Sequence, residues 1–509
     1  MKCCPETPDL RTSRAKLLVQ ISLCLFFALQ IYPAILFSQQ PTQEWVARYF
    51  GPSNDLRGPY LAVDKLGNSY LAGTYVINDS INIMVAKYNS VGTQLWNTIY
   101  KYPGEGYFAP MAFAIDTSGN AYVTSKYGQS SLSYFNTLTV KFNAVNGSVV
   151  WAKCYIGGPR HNIPEDIKID KNNNIYIVGA SDSALLCIKY NTNGDSLWVR
   201  KYQPPGFSYA NACTIDDSLN IIIAGTKTHC ISIPPPGGCF DTLLTVKFST
   251  GGEFKWANTY SYAGNTSFNS GLRITNDQFG SIYIGGKTRP NIGNYKYLTL
   301  KYNRNGIYQW ASLYDGIGSG NDIIRAIFID TVRNSLLVTG SSSGLGTDGD
   351  CTSIKYNATN GDSSWVRRFN GISNSFDNGN DLTIDNNGNL YVTGSTNTTT
   401  GVDILTLKYS VNGNQEWFTT FNSPTNGWDE GTSIHLDLEN NIYICGKSSG
   451  DYVILKYSQL TGIQTTNNHV PFKYELFQNY PNPFNPSTKI RFDISGTSVA
   501  QTFLSVYDI

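Results

Sequence analysis

The 509-residue chain sets 38 Lys and Arg against 37 Asp and Glu, a net charge of +1, with 15% charged and 13% aromatic residues. That balance fits a β-rich folded domain rather than a disordered chain. It favours neither nucleic acid nor an anionic membrane as a partner.

Residues 1–38 read as a signal peptide. Arg11, Arg14 and Lys16 precede the apolar run Leu17–Phe37, which is followed by Ser38-Gln39-Gln40. Gln20, Gln30 and Pro33 interrupt the run, which speaks against a membrane anchor. The chain is therefore expected outside the cytoplasm, with no integral membrane segment after cleavage.

Residues 39–461 are organised by eight copies of one phrase, clearest at Asp385-Asn-Asn-Gly-Asn-Leu-Tyr391, then Lys408-Tyr409, then Trp417 and Phe421. Successive Trp residues from Trp45 to Trp417 lie 47 to 58 residues apart, the period of a repeat architecture. Each copy holds four short β-branched and aromatic segments bounded by Gly, Asn and Asp. The first ends in a turn Asp, the third in Lys plus an aromatic, and the fourth is Trp-x-x-x-Tyr/Phe, with both rings on one face of a strand. Asp64-Lys-Leu-Gly67 fits a type I turn, and Asn173 and Asn440 replace that Gly acceptably. Leu219 and Arg333 do not, so those two copies are expected to turn differently. Four antiparallel strands per period match a propeller blade.

The chain opens on an unpartnered fourth strand, Trp45-Val-Ala-Arg-Tyr49, and its last repeat stops after three strands, at Lys456-Tyr457. The expected fold is an all-β, eight-bladed β-propeller in which Trp45–Phe50 completes the last blade and removes a free sheet edge.

Seven cysteines follow the signal peptide, an odd number. Cys187, Cys213 and Cys445 sit in strand patterns as small buried residues. Cys230 and Cys239 flank a proline-rich loop, and an exported chain makes a local disulfide between them the expectation. Four histidines in the whole chain offer no clustered metal spacing, and no cofactor is expected. Gly340-Ser-Ser-Ser-Gly344 fits a nucleophile-elbow string, but no helix follows it.

Turn Asp and third-strand Lys recur in every repeat, which points to structure: Asp accepting turn amides, Lys packing its stem between sheets. A binding site breaks a repeat. The first-to-second and third-to-fourth links are tight turns at one end of the strands. The other links vary and share the opposite end, where a rigid scaffold usually carries binding. Arg160, His161, Trp428, Asp429 and Glu430 lie there, and Trp428 is the only Trp outside the repeat. Its ring suits stacking on a sugar or peptide, or simply covering its own loop. Asp322, Asp377 and Asp429 each stand eight residues before a turn Asp. They fit either repeated loop capping or an acidic patch near the central opening with a cation or acid/base role.

Residues 462–472 form a polar linker, and 473–509 contain Gln478-Asn-Tyr-Pro-Asn-Pro-Phe-Asn-Pro486 ahead of the alternating Thr488, Ile490, Phe492 and Ile494. This stretch closely resembles the opening of the C-terminal sorting domain of the bacterial type IX secretion system. The resemblance implies a small β-sandwich, the type IX machinery as partner, and delivery to the cell surface or medium. Such domains continue past Val506-Tyr-Asp-Ile509, so the expectation is a domain cut short. The repeats, through Asp-x-x-Gly-Asn-x-Tyr and Ile354-Lys-Tyr-Asn357, resemble bacterial extracellular β-propeller (SBBP-type) repeats over residues 45–460, a family often labelled seven-bladed. That resemblance implies a surface scaffold with no assigned chemistry.

Three functions remain: a secreted or surface-displayed scaffold binding an unidentified extracellular glycan or protein, which is preferred; a hydrolase or lyase acting on polysaccharide or peptide through carboxylates of the variable-loop face; and a purely structural surface component. The enzyme needs paired carboxyl groups in the opening.

Overall fold

The computed structural model describes residues 40–50, 58–77, 80–102, 106–129, 134–158, 160–231, 238–262, 267–290 and 293–459, with 475–476 and 492–493. The expected signal peptide and the linker lie outside the described residues, as does most of the sorting segment. The chain divides into two units, Met1–Gln459 and Leu460–Ile509. In the second, Glu475–Leu476 pairs antiparallel with Phe492–Asp493.

In the first unit every described element is a strand. The strands form six four-stranded antiparallel sheets and one eight-stranded sheet, the latter two four-stranded meanders joined by a single parallel bridge, Asp241 to Phe268. Each meander is one sequence repeat, as in Asp377–Ile384, Leu390–Asn397, Val402–Tyr409 and Gln415–Phe421. The last repeat differs. Asp429–Leu436, Ile442–Ser448 and Asp451–Ser458 take their fourth strand from Thr42–Tyr49 at the start of the chain. The register runs from Trp45 opposite Lys456 to Tyr49 opposite Tyr452. Phe50, expected in that strand, lies beyond it and is exposed. The first strand of each repeat contacts the first strand of the next, and that of the last repeat contacts Tyr60–Val63 in the first. First strands therefore form the inner wall, and the Trp-bearing fourth strands the outer edge.

The recurring residues join neighbouring repeats. Trp96 Nε1 and Lys87 Nζ both donate to the Ala144 carbonyl in the next repeat's third-to-fourth turn, at 3.2 and 3.1 Å. Trp151 and Lys141 share the Thr192 carbonyl in the same way, and Trp365 and Lys355 share that of Val411. Trp45 and Lys456 close the set on Ser90. The lysine stems lie over the second-strand tyrosines, Lys87 over Tyr70 at 4.7 Å and Lys189 over Tyr176 at 4.7 Å. The Trp ring rests on a turn glycine. A Cβ at Gly413 would stand 2.8 Å from Trp365, and its φ of +81° also demands glycine. One junction departs. Lys408 pairs with Glu416 at 2.9 Å, because the last repeat has no third-to-fourth turn to offer a carbonyl.

The turn Asp does what its spacing suggests. Asp385 Oδ1 accepts the N–H groups of Asn387 and Asn389, both at 2.9 Å, while Oδ2 accepts the Tyr391 hydroxyl at 3.1 Å. Where Ile222 replaces that tyrosine, Lys247 reaches the carboxylate directly, 2.9 Å from Asp216. Burial raises the Asp216 pKa, but bonds from Asn220 and Lys247 outweigh it and leave the pKa lowered. The expectation for Leu219 is corrected: it adopts φ +61° and donates to the Asp216 carbonyl at 2.8 Å, keeping the common turn despite the cost of a left-handed side-chain-bearing residue. Arg333 does turn differently. Asn334 takes the left-handed conformation, and Arg333 forms a 3.1 Å ion pair with Asp330.

Candidate functional site

The three aspartates eight residues before the turn are buried, each clasping the link that precedes it. Asp322 accepts the Gly316 N–H at 2.7 Å, Asp377 that of Gly371 at 2.6 Å, and Asp429 that of Ser423 at 2.5 Å. Burial raises the Asp377 pKa, opposed by the bonds from Gly371 and Thr396. Ser208 occupies the same place and donates to the Tyr202 carbonyl at 2.8 Å, so the clasp needs a short polar side chain rather than a charge.

Trp428 is 61% exposed, and its Nε1 donates to Glu430 Oε2 at 3.4 Å. Glu430 Oε1 in turn accepts Asn380 Nδ2 at 2.8 Å, tying the indole to the first strand of the preceding repeat. Arg160 and His161 are exposed. The His161 ring stacks on Phe135 at 5.4 Å and accepts the Phe135 N–H at 3.3 Å, in the link between the second and third repeats and at the same end of the strands as Trp428. Cys230 and Cys239 are joined, with Cα atoms 4.0 Å apart. They sit opposite one another near the tip of a hairpin, Ile221–Ile231 and Gly238–Phe248, so strand extends into what the sequence presents as loop.

The inner wall holds residues that the loops do not. From the second repeat onward every first strand carries a register shift at one position, passing over Met111, Glu165, Asn211, Leu272, Arg325, Asn380 and Thr432. Each lies five residues before the turn Asp. A bulge re-aims side chains and frees backbone groups, and here the freed groups bond across repeats. Asn211 Nδ2 donates to the Gly271 carbonyl at 2.9 Å, Asn380 Nδ2 to Gly431 at 2.8 Å, Thr432 Oγ1 to Pro59 at 2.8 Å, and Tyr60 Oη to Met111 at 2.7 Å. Asp166 accepts the Cys213 N–H at 2.9 Å, and Asp381 that of Ile434 at 3.0 Å.

Lys168 and Arg273 are exposed on first strands of the inner wall. Burial lowers the Arg273 pKa; Asp166 and Asp381 oppose this, while the like charge of Arg325 adds to it. Those neighbours come from three other repeats, so the charges converge on the axis. Asp166, 3.5 Å from Lys168, raises the Lys168 pKa against burial. Burial lowers that of His435, opposed by Asp381, so its imidazole stays neutral at pH 7. Arg325 is exposed and has no hydrogen bond or ion pair among the described residues. Its guanidinium is available to a ligand.

Residues 364–399 match the SBBP beta-propeller repeat family. Among solved structures the chain is similar to Sqt1 of Saccharomyces cerevisiae, at 10% identity and a TM-score of 0.51 over 83% of this chain and 99% of that one. It is similar also to Sqt1 of Chaetomium thermophilum bound to the N-terminus of ribosomal protein L10, at 10% identity and a TM-score of 0.51 over 81% and 100%. At such identity the likeness is one of fold: all-β and propeller-like. No curated protein matches the chain in sequence.

Within that fold the inner-wall charges lie outside the variable links to which the sequence points. Lys168 and His435 stand two residues before the turn Asp, where other repeats carry Ala62, Thr214 and Phe328; Arg273 aligns with Ala112 and Ala212, and Arg325 with the bulge residues Met111, Asn211, Leu272 and Thr432. A charge breaking the pattern inside a first strand was the available signal. Among the described residues no group of three or more His, Cys, Asp and Glu side chains is arranged to hold a metal.

Proposed function

We propose that the chain is an eight-bladed β-propeller acting as a secreted or surface-displayed binding scaffold, its ligand seated over the variable-link mouth of the axis. The observation that carries this is Trp428, an exposed indole held by Glu430 against Asn380 of the inner wall. It is a flat apolar surface tied to the inner wall at Asn380, the bulge position that Arg325 occupies in the preceding repeat. Tyr107, Tyr134, Phe207, Tyr262 and Phe376 add exposed aromatic area at the same end of the strands. The ligand chemistry this suits is a glycan or peptide with an acidic group, stacked on aromatic surface and met by a guanidinium. A protein of like fold, Chaetomium Sqt1, holds the N-terminus of a ribosomal protein. The carboxylates that an enzyme would use at this face, Asp377 and Asp429, are turned inward as clasps.

Arrays of neutral and acidic glycans and peptides test the proposal. Trp428→Ala is expected to weaken the bound ligand by roughly 1–3 kcal/mol, as aromatic anchors do, whereas Asn387→Ala on the tight turns leaves binding unchanged. Loss of binding in the turn variant alone overturns the face assignment. Delivery is read from residues 1–38 and the sorting-domain resemblance of 473–509. Fused to a passenger in a host that has type IX secretion, 473–509 alone is expected to give no export and the same segment extended to a full sorting domain to give it, and equal export of both overturns that part.

A further inference from the structure

We infer that the chain binds a calcium ion between Asp403 and Asp429, beneath the link that carries Trp428. Asp403 is the second residue of the seventh repeat's third strand, Val402–Tyr409, and Asp429 opens the first strand of the eighth. Their side chains are 3% and 0% exposed, and in each the Oδ1 atom is buried without any hydrogen-bond partner. A third oxygen in the same corner, Asn422 Oδ1, is likewise buried and unpartnered. Asn422 spans the two links involved: its Nδ2 donates to Thr400 Oγ1 at 3.0 Å on the way to Asp403, and its neighbour Ser423 donates to Asp429 Oδ2 at 2.5 Å. Burial raises the Asp403 pKa and the charge of Asp429 raises it further, against a bond from Thr398. Three buried Oδ1 atoms, two of carboxylates and one of an amide, with no donor to any of them, are a set of hard acceptors that lacks a cation.

The preceding repeat shows what the position demands. Asp350 stands there as Asp403 does here, five residues before the third-strand Lys, and its like charge acts on the next clasp, Asp377. Arg368, opposite Thr352, supplies the positive charge, with Nη2 2.7 Å and Nε 2.9 Å from Asp350 Oδ2. In the seventh repeat the equivalent residue, opposite Leu405, is Thr420. The cation is missing from the side chains. Arg48 of the eighth repeat donates to Ser448 Oγ at 3.1 Å and lies over the Phe421 ring at 5.7 Å, and among the described residues it forms no ion pair with Asp403 or Asp429. An all-oxygen set of carboxylates and an amide, completed by water, suits Ca²⁺, which accepts irregular oxygen shells of six to eight ligands; Mg²⁺ demands near-octahedral geometry and keeps its waters.

The test needs no knowledge of the scaffold's ligand. Equilibrium dialysis of the EDTA-stripped full chain with ⁴⁵Ca²⁺ is expected to show one saturable site. Saturating Ca²⁺ is expected to raise the melting temperature by roughly 3 °C, and Mg²⁺ by less. Asp403→Asn should abolish both responses. Thr420→Arg, which copies Arg368, should abolish them too while retaining the melting temperature of the calcium-loaded chain, so lost binding is not mistaken for lost folding. If the stripped chain takes up no calcium and its melting temperature is unmoved, the inference is overturned. If Asp403→Asn stabilises the chain equally with and without the ion, a shared proton holds the pair and the inference fails. Failure at Trp428 would leave this result untouched.

Discussion

Removing residues 40–50 is expected to lower the melting temperature by far more than the loss of any surface segment of that length. Thr42–Tyr49 supplies the outer strand of the last repeat, pairing from Thr42 opposite Ser458 to Tyr49 opposite Tyr452. Its side chains make the joint to the first repeat. Trp45 packs edge-on to Tyr443 at 6.1 Å, donates to the Ser90 carbonyl at 3.2 Å, and lies within 2.8 Å of a Cβ built on Gly92. Tyr49 meets Tyr75 at 6.0 Å, so two repeats distant in sequence are locked together at the seam. Trp45→Ala alone should cost about 3 kcal/mol through lost burial and an emptied slot. The deletion adds the loss of a whole ladder and leaves Asp451–Ser458 as an unpaired edge open to a second chain. Differential scanning calorimetry and light scattering on the two variants measure this. An unchanged melting temperature and a monomeric deletion variant would mean that the seam contributes nothing.

The seam was legible because a lone fourth strand at one end and a missing one at the other are visible as text. So was the latch between repeats. Asp, Lys and Trp recur at fixed spacing, and each does the local chemistry its type suggests, as Asp385 and Lys355 show. What stayed hidden depends on register. A bulge at Glu165 or Asn380 shifts a strand by one residue, and simple alternation then misplaces everything on one side of it. Arg273, beside such a shift, and Arg325, at one, therefore carry no sign in the sequence that they lie close enough to affect one another. The aspartates before the turn left two options open, and only burial distinguishes a clasp from a patch. Leu219 shows the opposite limit: the turn is imposed by its Asp216 and Asn220 partners, which outweigh one residue's own preference. The Cys230–Cys239 hairpin was obscured by the three prolines between the cysteines, which suggest loop where the flanking strands persist.

Arg368→Ala is expected to destabilise the chain by roughly 3–5 kcal/mol, the range for removing one partner of a buried ion pair. Besides its two bonds to Asp350, the guanidinium donates from Nη1 to Tyr314 Oη at 2.9 Å and Ser342 Oγ at 2.8 Å, and from Nη2 to the Ser342 carbonyl at 2.8 Å. Burial alone would lower the Arg368 pKa, but the bonds to Asp350 and Tyr314 raise it, so the guanidinium stays charged at every pH at which the fold survives. Truncation leaves Asp350, 4% exposed, facing the buried Asp377 with no cation between them. The Asp377 pKa already lies above its ordinary value, chiefly from burial. A carboxyl raised in this way favours the fold while protonated, and that contribution vanishes as pH climbs through the raised value. The variant's deficit should therefore be largest at neutral pH and shrink in acid, the reverse of a simple loss of packing. Arg368→Ala combined with Asp350→Asn removes the stranded charge and should recover a large part of the loss. Urea melts of the single and double variants at pH 7.5 and 4.5 decide the matter: a deficit independent of pH, or a double variant no better than the single, would show that Arg368 acts by filling space rather than by charge.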